Sequence, residues 1–138
     1  MNSSKPILLI ENNDDDAKHI ETALNDIHVT NVLERRSNID EAYEYLRDEH
    51  KPKPCVILLD LNIPRMGAFE FIKTLNADHT LKRLPIVVLM SSETNGDVAR
   101  SSGLDIAGYI LKPFDYKKFI EVMRALDILW ALNSKQDQ

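Results

Sequence analysis

The chain has 138 residues, 43% of them hydrophobic, the size and apolar content of one domain with one core. Its 22 acidic residues outnumber 17 basic ones, for a formal net charge of -5, which argues against an electrostatic grip on nucleic acid or on an anionic membrane. A single cysteine, Cys55, excludes an internal disulfide, and no apolar stretch is long enough to span a bilayer or to act as a signal peptide, so a soluble cytoplasmic protein is expected.

Short apolar runs alternate with amphipathic segments along the chain. Ile7–Ile10 is continuously apolar and reads as a strand buried on both faces. Asp14, Asp15 and Asp16 follow, where acids suit the amides and the positive dipole end of a starting helix. The spacing of Ala17, Ile20, Leu24 and Ile27 predicts that helix. Residues 29–36, with β-branched Val29, Thr30 and Val32, suit a strand nearer an edge. Residues 40–49 form a second helix, with Ala42, Tyr43 and Leu46 on one face. Val56–Leu59 is the next buried strand, and Cys55 at its start is expected to be a small buried residue.

A helix over 68–76 carries Ala68, Ile72 and Leu75 on one face, and the strand Ile86–Met90 follows. Residues 94–102 give the weakest helix, with little apolar content beyond Val98 and Ala99. A short strand at 109–111 precedes the longest helix, 116–132, whose stripe includes Phe119, Val122, Met123, Leu126, Leu129 and Trp130. Ile128 and Leu132 lie off that stripe and would suit a homodimer contact. The tail from 133 is expected to fray. Basic pairs such as Arg35–Arg36 and Lys117–Lys118 read as solvated surface.

Five β–α units imply an α/β fold, a parallel sheet with helices on both faces and right-handed crossovers. Ligands of such sheets bind beyond the carboxyl ends of the strands. Glu11, Asn12 and Asn13 follow the first strand, Asp60 the third, Met90, Ser91 and Ser92 the fourth, and Lys112 the fifth. An Asp closing an apolar strand is expensive to bury unpaired, so Asp60 and Lys112 read as site residues. The competing reading is a structural Asp–Lys ion pair near a turn.

Glu11–Asn12, Asp60, Asn62, Pro64 and the segment YILKPF at 109–114 together resemble the receiver domain of two-component response regulators. The resemblance covers residues 6–132, so a single domain spanning 1–138 with no output domain is expected. The opening IEN and the segment DLNIP are most similar to small single-domain regulators associated with bacterial phytochromes. It implies a flavodoxin-like receiver fold with strand order 2-1-3-4-5. It further implies that Asp60 accepts a phosphoryl group from a sensor histidine kinase and that the protein signals to a downstream protein, rather than acting as an enzyme. Mg2+ would be held by Asp60, the backbone carbonyl of Asn62 and the side chain of Asn12, with Glu11 acting through water. Lys112 would stabilise the phosphoryl oxygens, Lys112–Pro113 would be cis at Pro113, and Tyr109 would be the aromatic switch.

The sequence departs from the family pattern at three places. Asn12 stands where the family has a second acid, which removes a charge and implies weaker Mg2+ binding. Met90 stands where a Ser or Thr hydroxyl bonds the phosphoryl group, and Met cannot donate. Ser91 is one residue further on, where strand alternation points it the other way. Gly67–Ala68 replaces the usual Asp-Gly, and Gly still serves as a helix cap. Two further readings follow from these residues: a receiver fold acting as a phosphorylation-independent interaction module, and a dehalogenase-like phosphohydrolase, which would want an acid where Asn62 stands. A flavodoxin would need a hydroxyl-rich phosphate loop after the first strand, and none is present.

Overall fold

The structure, a computed structural model, describes residues 5–63, 67–91 and 103–125. In chain order these form β1 (Ile7–Ile10), α1 (Asp14–Asp26), β2 (Leu33–Arg36), α2 (Ile39–Arg47), β3 (Val56–Asp60), α3 (Ala68–Ala77), β4 (Ile86–Met90), β5 (Gly108–Leu111) and α4 (Tyr116–Ala125). The sheet is parallel throughout, in the order β2-β1-β3-β4-β5. Pro64, the helix expected over 94–102, the residues 126–132 with Ile128 and Leu132, and the tail from 133 lie outside the described residues.

Successive side chains of a strand point to opposite faces, so a strand apolar at every position feeds two cores. Ile7 and Leu9 of β1, Val56 and Leu58 of β3, and Val87 and Leu89 of β4 pack with α1 and α4. Leu8, Ile10, Ile57, Leu59, Ile86 and Val88 pack with α2 and α3 on the other face. Phe71 and Phe119 are fully buried, one in each layer, and burying each stabilises by about 1.5–3 kcal/mol. Gly108 marks a close approach: a Cβ there would stand 3.0 Å from Val122 Cγ2, so β5 passes directly beneath α4.

Several element ends shift by a residue from the sequence reading, and the second strand and second helix shift most. The second strand is Leu33–Arg36, not residues 29–36. His28 adopts a left-handed conformation, φ 65°, to end α1, and the Asn31 side-chain amide then donates to the Lys5 carbonyl at 2.8 Å. The β-branched residues 29, 30 and 32 therefore belong to the connection between α1 and β2, whose path these two contacts shape. The second helix begins at Ile39, because Asn38 Oδ1 accepts from the Glu41 N–H at 2.8 Å and so takes the cap.

Candidate functional site

The parallel strands β1, β3, β4 and β5 end on the same side of the sheet, and polar residues at their ends converge. Asp60 closes β3 with its side chain almost fully buried, and Glu11, just past β1, has no exposed surface. Lys112 follows β5, its backbone N–H donating to the Met90 carbonyl at 2.8 Å. Its ammonium stands 3.2 Å from Asp60 Oδ2, 3.1 Å from Glu11 Oε1 and 2.8 Å from Asp16 Oδ2. The Lys112–Pro113 peptide is cis.

Two acids buried this close share one cation. Burial, then the neighbouring Asp60 carboxylate, push the Glu11 carboxyl up to about 7, against the pull of Lys112. Burial draws the Lys112 ammonium down. The hydrogen bond to Asp16 and the attraction of Asp60 and Glu11 outweigh it and hold the group up at about 12. Glu11 Oε2 accepts from the Asn13 N–H and the Lys112 ammonium, each at 3.3 Å. Oε1 lies within ion-pair distance of Lys112 but out of line for a hydrogen bond, and it is buried with no donor.

The loop after β1 is tied down from two sides. Asn13 caps α1 by accepting from the Asp16 N–H at 2.8 Å. The Arg35 guanidinium donates from Nε to the Glu11 carbonyl at 3.1 Å and pairs with Asp14 Oδ1 at 2.9 Å. Asp14–Asp16 open α1 as expected, with Asn13 as its cap, but Asp16 also turns its carboxylate to Lys112. Arg35 is not a solvated surface residue but a brace for this loop. Asn12 is exposed on the same loop.

On the other side of Asp60, the Asn62 backbone N–H donates to Asp60 Oδ1 at 3.0 Å. The Asn62 side-chain amide donates to Ser91 Oγ at 3.1 Å. Ser91 therefore reaches the rim of the site from the loop after β4, despite the parity expected of a continuing strand. Met90 itself is fully buried. Tyr109, on β5, is partly buried against the layer formed with α2 and α3.

A buried strand-end Asp, a second buried acid and a lysine beside a cis proline stand on a parallel sheet of order 2-1-3-4-5. Residues 7–124 match the family model of the response regulator receiver domain. The chain belongs to that family. Its fold is the flavodoxin-like receiver fold, and its relatives include phytochrome response regulators of two-component signalling. Response regulator Rcp1 of Synechocystis sp. is 29% identical over 94% of this chain and 90% of its own length. The bacteriophytochrome response regulator AtBRR superposes with a TM-score of 0.87 at 30% identity, covering 96% of this receiver and 99% of that chain. The phosphorylated cyanobacterial phytochrome response regulator RcpA gives 0.72 at 31% identity, covering 96% and 100%. A solved Mn(2+)-bound form of Rcp1 gives 0.71 at 28% identity, covering 92% and 94%.

A divalent cation in this receiver would meet hard oxygen donors. The buried Glu11 Oε1 is a lone-pair acceptor that receives no hydrogen bond, and such an atom fits a cation. Among the described residues, no three His, Cys, Asp or Glu side chains form a metal-holding group. No helix among the described residues is long and apolar enough to cross a membrane.

Proposed function

We propose that this receiver accepts a phosphoryl group on Asp60 from a sensor histidine kinase and passes the signal on by protein–protein contact. The observation that carries the reading is the Lys112 ammonium 3.2 Å from Oδ2 of a buried, strand-end carboxylate whose Oδ1 is held by the Asn62 N–H. A carboxylate oxygen of Asp60 attacks phosphorus. The P–N bond of the donor phosphohistidine breaks, and its electron pair leaves on the imidazole nitrogen, which then takes a proton. Lys112 stays beside the transferred oxygens and offsets their charge, and Asn62 keeps the carboxylate oriented. Mg2+ would be held by Asp60, the Asn62 carbonyl and Asn12, with Glu11 through water. When bound it would neutralise phosphoryl oxygens. Ser91 and Tyr109 would read out the phosphorylated state.

Met90 favours a second reading. It is fully buried where the resemblance calls for a hydroxyl, which suits a receiver fold that works as a phosphorylation-independent interaction module. Incubation with acetyl phosphate and magnesium separates the two. The phosphoacceptor reading predicts an acid-stable, base-labile phosphoryl adduct on the wild-type chain and none on Asp60→Asn. Partner binding with no adduct at saturating magnesium supports the interaction module instead.

A further inference from the structure

Of the three carboxylates around the Lys112 ammonium, the nearest belongs to none of the residues the family assigns to the site. Asp16 Oδ2 is at 2.8 Å, against 3.1 Å for Glu11 and 3.2 Å for Asp60. Asp16 stands in the first turn of α1, and Asn13 already satisfies its backbone N–H. The helix start therefore leaves the Asp16 side chain free for a distant partner. That partner is 96 residues away in sequence and sits on the end of β5, fixed by its own backbone bond to Met90. Two rigid elements thus present the ion pair, and neither depends on the other for its local structure.

The charge around Asp60 shows what the contact does. Asn12 brings no charge to the loop. Glu11 and Asp60 are buried and would draw the Lys112 ammonium between them deep into the site. Asp16 is partly exposed, on the solvent side, and pulls in the opposite direction. We infer that Asp16 is a positioning residue of the phosphoryl site: it holds the Lys112 ammonium at the mouth above Asp60 and replaces the negative charge missing at Asn12. An ammonium has three donors. As phosphoryl oxygens arrive, Lys112 exchanges its bonds to Glu11 and Asp60 for them while Asp16 keeps the nitrogen in place. Little reorganisation is then left for the moment of transfer.

The inference rests on Asp60 as phosphoacceptor, and the experiment keeps the two claims apart. Asp16→Asn keeps an oxygen but drops the charge. Asp15→Asn drops the same charge from the same helix turn at an exposed residue with no role in the site. Two readouts are taken on each full chain: the ammonium signal of Lys112 by nitrogen-15 NMR, and the phosphorylation rate against acetyl phosphate concentration with magnesium present. Asp16→Asn is expected to shift the Lys112 signal and to lower the maximal rate about tenfold, with the half-saturating concentration little changed. Asp15→Asn is expected to do neither, and Asp16→Glu to recover part of the rate. Equal behaviour of Asp16→Asn and Asp15→Asn in a chain that is phosphorylated overturns the role of Asp16 alone. A wild-type chain that takes no phosphoryl group overturns the phosphoacceptor reading and the inference with it.

Discussion

The two loops that flank Asp60 each carry a residue without the chemical group the proposed site calls for, and each presents a similar group nearby. After β1, Asn12 lacks a carboxylate, and Asp16 brings one to Lys112 at 2.8 Å. After β4, Met90 lacks a hydroxyl, and Ser91 brings one to Asn62 at 3.1 Å. The replacements are not equal. Asp16, itself partly exposed, pairs with an ammonium that also faces two buried carboxylates, where a lowered dielectric makes each charge count. Ser91 makes one neutral hydrogen bond at an exposed rim, where water competes. The difference teaches that charge can move along a loop and still act on the same ammonium, whereas a hydroxyl acts only where its bond can reach.

Lys112→Ala breaks the charged side outright. It strips the counter-ion from two buried carboxylates, which destabilises by about 3–5 kcal/mol. It should also lower phosphoryl transfer at least a hundredfold, on the order of losing one preorganised oxyanion donor. Urea unfolding and acetyl phosphate kinetics check the two effects.

The pH dependence of stability probes the same side more gently. The Glu11 carboxyl rises from 4.5 to about 7 on folding, so folding favours its protonated form. The stability contributed by this group in the metal-free protein is therefore fully present below pH 4.5, and about 3 kcal/mol is lost as pH rises from there through 7. Glu11→Gln should remove that slope, read as the difference between wild type and variant in urea midpoints across the range.

Asn12→Asp restores the missing charge and should tighten magnesium about tenfold in a calorimetric titration. An unchanged affinity would mean that position 12 does not reach the ion. The hydroxyl side should respond least. Ser91→Ala should change stability by less than about 1 kcal/mol and slow transfer only a few fold. Met90→Thr should raise the transfer rate at a stability cost of about 2 kcal/mol, and Ser91→Ala should then be silent in that background.

The fold was legible because its signals are periodic. Ile7–Ile10, Val56–Leu59 and Ile86–Met90 are apolar at every position, and only a strand covered on both faces accepts that. The second strand was read too long because β-branched Val29, Thr30 and Val32 favour strands in isolation, while His28 and the Asn31 amide bend the chain there. At the site, Glu11, Asp60 and Lys112 were legible as polar residues that interrupt apolar strands at their ends. Asp16 and Arg35 were not. An acid in a first helical turn is already explained by the helix dipole, and an arginine at a strand end by solvent. Their partners lie 96 and 24 residues away, distances that no local spacing rule covers.

The account turns on whether Asp60 takes a phosphoryl group. The direct measurement is the intact mass of the chain after acetyl phosphate and magnesium, with peptide mapping of the adduct. The account predicts one phosphoryl group on Asp60, stable to acid, labile to base and absent from Asp60→Asn. No adduct at saturating magnesium, or an adduct on any other residue, would contradict it.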